Sequence, residues 1–237
     1  MPLPRSIVIL TGAGISAESG LGTFRDEDGI WTKYPLEALA TPEGFARDPD
    51  FVQGFYNDRR RQLKTAQHNR AHEALARLES ACRAEGADFL LVTQNVDNLH
   101  EQAGSRNVVH MHGELTRVRC MNCFTVTVCQ EDIGTSTQCT ACRTVGHVRP
   151  HIVWFGEMPL EMNRICDALS QCRMFVSIGT SGAVYPAAGF VQEAMYAGAR
   201  TVELNLEPSE NARVFDETRY GPASEIVPAW VDRLLDA

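Results

Sequence analysis

Ile7-Val-Ile-Leu-Thr-Gly-Ala-Gly-Ile-Ser-Ala-Glu-Ser-Gly-Leu-Gly-Thr-Phe-Arg25 decides the fold. Its apolar opening, Ile7 to Leu10, reads as a buried strand and runs straight into Gly12-x-Gly14-x-x-Ala17. In a parallel α/β sheet, a strand that ends this way aims backbone N–H groups and a helix N-terminus at a pyrophosphate. Glycine at 12 allows the tight turn, glycine at 14 lets a phosphate approach, and Ala17 is small enough for a helix to pack on the strand. A dinucleotide is therefore the expected ligand. An ordinary dehydrogenase is not expected. The acid that would bind the ribose about 20 residues further on is missing from Gly29-Ile-Trp-Thr-Lys-Tyr34, and Asp26, Glu27 and Asp28 come too early.

Outward from this stretch, apolar runs at 6–11, 88–93, 106–110, 174–179 and 200–204 read as further parallel strands. Helical patterns lie between several of them. Residues 69–84 place Ala71, Leu75, Leu78 and Cys82 on one face, and residues 186–198 stop at Gly198. Alternating strands and helices predict a doubly wound sheet with helices on both faces. Two stretches break the alternation. Residues 31–66 are helical, with Pro35, Pro42 and Pro49 as helix starts, and residues 116–150 are short, turn-rich and cysteine-rich. Both are read as excursions that together build a smaller domain.

A chain of 237 residues, 44% hydrophobic and 22% charged, is ordinary for a soluble globular protein. Its net charge of −8 argues against a nucleic-acid partner, because a phosphate surface calls for basic excess. No apolar run approaches a membrane span, and Met1-Pro-Leu-Pro-Arg5 leads into the first strand without a signal peptide. A cytoplasmic protein is expected, in which disulfides are rare and the eight cysteines need another explanation.

Four of them have one. Cys120-Met-Asn-Cys123 and Cys139-Thr-Ala-Cys142 stand fifteen residues apart, the spacing of a zinc ribbon in which each C-x-x-C turn grips one tetrahedral ion. Four thiolates fill the coordination sphere and leave no position for substrate, so the zinc should be structural. Cys129 lacks a paired partner, and Cys82, Cys166 and Cys172 are read as buried spectators.

Two polar clusters follow predicted strands: Thr93-Gln-Asn-Val-Asp-Asn-Leu-His100 and His110-Met-His-Gly-Glu-Leu115. Both should emerge on the same carboxyl edge as the glycine loop, where α/β proteins bind ligands. His112 is the candidate general base, since an imidazole titrates near neutrality and Gly113 beside it suggests close approach by another group. His68, His147 and His151 are read as structural, while His100 and His110 stay open between the two roles. Gly179-Thr-Ser181 and Asn205-Leu-Glu207 follow later strands, and Asn205 or Glu207 could supply the missing ribose contact. Gly221-Pro-Ala-Ser224 reads as one more turn on that side.

GAGISAESGLGTFR, TQNVDNLH, HGEL, the four-cysteine knuckle, VWFGE at 153–157, GTS and NLEP, in this order, resemble the sirtuins over essentially the whole chain. The likeness is to the bacterial CobB-type, class III branch. It implies a single catalytic unit over 1–237, with a Rossmann-like NAD-binding domain formed by 1–30, 67–115 and 151–237. Residues 31–66 and 116–150 would form the small helical and zinc-binding domain. It implies removal of acyl groups from protein lysines, with NAD consumed as co-substrate and nicotinamide and O-acyl-ADP-ribose released.

By the same resemblance, Gly12, Ala13, Gly14, Ser16 and Ala17 form the pyrophosphate loop, and Phe24, Arg25 and Trp31 belong with the cofactor segment over the nicotinamide ribose. Gln94, Asn95 and Asp97 line the ribose and nicotinamide pocket. His112 is the catalytic base. Gly179, Thr180, Ser181, Asn205, Glu207 and Ala223 hold the adenosine half. Val153, Trp154 and Phe155 clamp the peptide as an added strand. From the residues alone, Tyr56 and Arg59 share a helix face as an amphipathic tyrosine beside a solvated arginine. The resemblance makes them the pair that holds the distal carboxylate of succinyl- and malonyl-lysine, with small Ala40 leaving room for the longer chain. A mono-ADP-ribosyltransferase on the same scaffold is the alternative.

Overall fold

The computed structural model describes residues 3–22 and 36–236. Phe24, Arg25, Trp31 and Pro35, named above, lie outside the described residues. Six strands form one parallel sheet: β1 (Ser6–Thr11), β2 (Asp88–Thr93), β3 (Val108–His110), β7 (Met174–Ile178), β8 (Arg200–Asn205) and β9 (Glu217–Tyr220). Their order is β3-β2-β1-β7-β8-β9, and every neighbouring pair is parallel. The winding reverses between β1 and β7, so a crevice for ligand opens beyond the carboxyl ends of those two strands.

Strand period explains the layering. In β1, Ile7 and Ile9 join one core cluster with Leu75 and Leu78 of a helix at Arg70–Ala84 and Val227 and Trp230 of a helix at Ala223–Leu235. Val8 and Leu10 point the other way, into a second cluster with Ile165 and Leu169 of the helix Met162–Gln171 and Phe190 and Val191 of the helix Phe190–Tyr196. A strand buried on both faces reads as a continuous apolar run, which is why this sheet was legible.

A second, antiparallel sheet has the order β5-β4-β6, with β4 at Gly113–Cys120, β5 at Val126–Val128 and β6 at Val148–Ile152. It was not foreseen as a sheet. The register shifts between Glu114 and Val118, which puts the buried Leu115 and Val118 three apart and hides the alternation of a strand. Among its described residues the first excursion holds three helices: Leu36–Leu39, Pro42–Arg47 and Pro49–Leu63. Pro42 and Pro49 do start helices, behind the caps Thr41 and Asp48. The long helix is fastened to the small sheet and its loops by Gln53 Nε2 on the Val148 carbonyl (3.0 Å), Arg60 Nε on the Leu115 carbonyl (2.9 Å) and Asn57 Nδ2 on the Ile133 carbonyl (2.8 Å).

Other expectations need correction. Within the described residues up to 22, no α-helix follows the glycine loop. Two 3-10 turns do, Ala13–Ile15 and Ala17–Ser19, and the left-handed Gly20 ends the second. Ala17 is exposed there and packs no helix on the strand. The 186–198 segment is a 3-10 turn, Ala187–Gly189, continuing into Phe190–Tyr196. Cys166 is exposed, while Cys82 and Cys172 are buried as read. Strand β9 and the last helix were missed, since Glu-Thr-Arg-Tyr is half-exposed and Pro228 sits inside the helix.

Candidate active site

Two loops interlock at the winding reversal. Gly12 N–H donates to the Ile178 carbonyl (3.0 Å) and Gly14 N–H to the Gly179 carbonyl (2.9 Å). A Cβ on Gly12 would stand 2.7 Å from Gly179 O, and one on Gly14 would stand 2.7 Å from Gly179 Cα. Glycine at 14 thus makes room for the neighbouring loop. Gly179 itself takes φ +61°, a conformation that favours glycine. Asn205 Nδ2 donates to the Thr180 carbonyl (2.8 Å), tying the end of β8 to the same loop. Ser181 and Glu207 are exposed along this edge. Ala223 opens the last helix, whose Ser224 N–H (2.9 Å) and hydroxyl (2.7 Å) both reach the Glu18 carboxylate.

The β1 and β2 loops are locked by a buried polar triad. Ser16 Oγ donates to Asp97 Oδ2 (3.0 Å), and Asn95 Nδ2 donates to Ser16 Oγ (3.2 Å) and the Gly12 carbonyl (3.0 Å). Asp97 also accepts from Leu99 N–H (3.1 Å). Burial raises its carboxyl above the ordinary range, opposed by these two donors. Sequence reading assigned Asn95 and Asp97 to the pocket wall, but their hydrogen bonds go mainly to the chain itself.

His112 follows β3, half-buried, with Nδ1 3.1 Å from the Gln94 carbonyl. A carbonyl only accepts, so Nδ1 carries the proton and Nε2 is the basic nitrogen of the neutral ring. Burial holds this imidazole below its ordinary value, although the Gln94 bond works against it. Gly113 faces the small sheet: its Cβ would meet the His151 carbonyl at 2.0 Å. The close approach inferred at Gly113 is therefore by β6, not by a ligand.

The neighbouring histidines differ. Burial pulls His110 downward, but its bond to Glu101 Oε1 (2.7 Å) and that residue's charge overcome the effect, leaving it raised. His100 lies under the loop with Nε2 3.0 Å from Thr11 Oγ1, its ring 4.9 Å from that of His72, and burial keeps it well below the usual value. Both rings are engaged with other groups of the chain in this arrangement.

Of the residues expected to select the acyl group, Ala40 and Tyr56 share one cluster, joined there by Trp154 of the expected peptide clamp. Ala40, Tyr56 and Trp154 are buried in one apolar cluster with Leu39, Val52, Leu115 and Ile152. Tyr56 is not a surface residue as read from helix pattern alone. It is 5% exposed, burial pushes its phenol above the ordinary value, and Trp154 Nε1 donates to its hydroxyl at 2.9 Å. Arg59 is half-buried, its guanidinium 5.4 Å from the Phe55 ring centroid and bonded to Gln62 Oε1 (3.1 Å).

The peptide-clamp expectation narrows. Val153 N–H already donates to the His112 carbonyl (2.9 Å), Phe155 N–H to the Ala40 carbonyl (2.8 Å), and Trp154 N–H to Glu157 Oε2 (2.9 Å). These three N–H groups are thus already paired within the chain, and the Trp154 side chain is buried in the core. The first of these bonds also ties the 153–155 segment directly to the residue that carries the candidate base.

The four knuckle sulfurs lie within 4.8 Å of one another. Cys120 and Cys142 Sγ are 3.7 Å apart, as are Cys123 and Cys139 Sγ. Four sulfurs at about 2.3 Å from one tetrahedral ion stand about 3.8 Å apart, so the set fits zinc. The two knuckles repeat each other. Phe124 and Arg143, each following a second cysteine, take φ +59° and +64°, and the Thr125 and Thr144 hydroxyls lie 3.3 Å from Cys123 and Cys142 Sγ.

Sequence reasoning missed Arg149 and assigned no role to Glu157. Arg149, 1% exposed, stacks 3.6 Å over the Trp154 ring and pairs with Glu157 (2.7 Å), which also holds Arg119 (2.6 Å). No local pattern announces a buried arginine. The Glu in VWFGE was the one available signal.

Known proteins resemble this chain over most of its length. The Sir2 family pattern matches residues 12–186. The NAD-dependent protein deacylase of Caulobacter vibrioides is 59% identical over 229 residues, covering 97% of this chain and 96% of the relative. A solved Sir2 homologue in complex with NAD superimposes with a TM-score of 0.88 at 37% identity, over 98% of this chain and 90% of that one. A Sir2 protein bound to a deacetylated p53 peptide and 3′-O-acetyl ADP-ribose gives a TM-score of 0.80 at 27% identity, over 98% and 93%.

Proposed function

This chain belongs to the Sir2 family, and from that premise we propose that it removes acyl groups from protein lysine side chains, consuming NAD and yielding nicotinamide and O-acyl-ADP-ribose. The observation that carries the reading is the state of His112. Burial holds its ring below the ordinary imidazole value, and the Gln94 carbonyl claims the Nδ1 proton, which leaves Nε2 as the basic nitrogen at the carboxyl edge of the sheet. The small residues and locked polar loops at the winding reversal fit a dinucleotide.

NAD supplies the electrophile: loss of nicotinamide leaves a ribose carbon that takes the acyl oxygen. The chain's own residues do the rest. Gly12, Ala13, Gly14 and Ser16 offer backbone to the pyrophosphate, and Gly179, Thr180, Ser181, Asn205, Glu207 and Ala223 hold the adenosine half. Gln94, Asn95 and Asp97 set the floor beside His112, which takes a proton from a ribose hydroxyl. Holding the reactants in register accounts for much of the acceleration, and the positioned base for a further factor on the order of 10²–10⁴. The zinc stands apart and closes the small domain, formed by 31–66 and 116–150 against 1–30, 67–115 and 151–237.

We assign acetyl, succinyl and malonyl groups as substrates. Ala40 leaves space, and Tyr56 and Arg59 provide donors for a distal carboxylate. Eight thiols without a disulfide suit the cytoplasm, where we place the protein.

The test is nicotinamide release from NAD with acetyl-, succinyl-, malonyl- and unmodified lysine peptides. Release that requires an acylated peptide and yields O-acyl-ADP-ribose supports deacylation. Peptide-independent release, with ADP-ribose label appearing on protein, assigns the chain to mono-ADP-ribosyl transfer.

A further inference from the structure

We propose that Trp154, braced by Arg149 and Glu157, is a positioning residue that sets the polarity of the Tyr56 hydroxyl and thereby the preference for acyl groups ending in a carboxylate. The inference rests on the deacylase reading and adds to it a buried device behind the pocket.

An indole N–H can only donate. Trp154 Nε1 lies 2.9 Å from Tyr56 Oη, so the tyrosine must accept, and its own proton points to some other partner. Among the described residues Tyr56 Oη has no acceptor for that proton. A phenol that could rotate freely would serve donors and acceptors alike. This one keeps its proton for an acceptor that a bound acyl group would bring. A carboxylate answers it with a charge-assisted bond, whereas an acetyl methyl offers nothing.

The indole is held from several sides. The Arg149 guanidinium stacks 3.6 Å from its ring centroid, the Phe45 ring centroid lies 5.2 Å away, and the Trp154 backbone N–H sits on Glu157 Oε2. Arg149 is fixed in turn by Nη2 bonds to Glu157 Oε2 (2.7 Å) and the Ile152 carbonyl (2.8 Å). A stacked cation also polarises the indole and strengthens its N–H as a donor. Glu157 is shared between Arg149 and Arg119, so the trio beside Trp154 carries net positive charge. That sign favours an anionic acyl end over a neutral one.

Trp154→Phe removes the N–H and keeps an aromatic ring in the cluster. We expect the ratio of kcat/KM for succinyl- over acetyl-lysine peptide to fall about tenfold, with the loss in KM for the succinyl peptide. In a Tyr56→Phe background the same change should alter that ratio less than twofold, because the two side chains act through one bond. A parallel loss on both substrates, or full additivity with Tyr56→Phe, overturns the proposal.

A measurement on the unmodified fold stands beside this. In protein carrying ¹⁵N-labelled tryptophan, succinyl-lysine peptide should shift the Trp154 indole N–H resonance and acetyl-lysine peptide should not. Equal shifts with both peptides overturn the proposal. Failure of the wild-type chain to act on any acylated peptide would instead remove the deacylase reading on which the proposal stands.

Discussion

The zinc knuckle and the carboxyl edge of the parallel sheet are both polar sites, yet they are built in opposite ways. The knuckle takes its four ligands from two C-x-x-C turns within 23 residues, and its sulfurs already stand at tetrahedral spacing. The edge draws Ser16, Asn95, Asp97, His112, Gly179 and Asn205 from loops after five strands, scattered over nearly 190 positions. A metal clip organises a segment too small to bury its own core. A ligand crevice is organised by the sheet beneath it. The first should fail locally and the second only when a particular side chain is lost.

The sharpest break between the two comes from His112→Tyr. Removing the base should lower turnover by about a hundred- to ten-thousandfold, while zinc content by metal analysis stays at one per chain. Loss of zinc together with activity would mean that the two regions are not separable. Cys139→Ser attacks the other side. Bound zinc should drop to near zero, the thermal midpoint should fall, and amide protection should vanish first in β4, β5 and β6 while β1, β2 and β7 remain protected.

Acid sharpens the contrast from beneath the crevice. Burial, aided by the His68 charge, depresses His72 to about 4, and His100 is also lowered. Between about pH 6.5 and 4 the unfolded chain binds protons that the folded chain refuses. Stability is therefore fully present above about pH 6.5 and is lost on acidification, by up to about 1.4 kcal/mol per pH unit for each ring. His72→Gln, which keeps a capping side chain at the third helical position of Arg70–Ala84, should flatten that slope in denaturant melts at stepped pH.

The smallest expected effect lies at the acyl selector. Arg59→Met and Tyr56→Phe should each lower the succinyl-to-acetyl kcat/KM ratio about ten- to a hundredfold, the worth of one hydrogen bond to a charged group. An unchanged ratio in both variants would detach this pair from substrate choice.

Particular residues mark how far the sequence could be read. The strands over 6–11 and 88–93 emerge at the expected bounds because both faces are buried and no alternation is needed to see them. β4 was hidden by its own bulge, and β9 by having no apolar run. Cys166 was misread because a helical apolar pattern does not say which flank turns outward. Gly14 reads as room for a phosphate and Gly113 as close approach by another group, and the crowding at them comes from the Gly179 loop and from β6. A glycine records that something is close without recording what.

Spacing along the chain alone determined the metal site and the nature of the carboxyl edge, because two cysteines in one turn and a glycine loop after a strand act over a few residues. Only tertiary structure decided that Tyr56 is buried and accepts from an indole N–H rather than standing at the surface. Its hydroxyl is set by Trp154, nearly a hundred positions away, and Trp154 by a buried arginine whose desolvation Glu157 offsets. Hydrogen-bond polarity in a dry interior depends on which groups meet there, and that is a property of the packed chain and not of any segment of it.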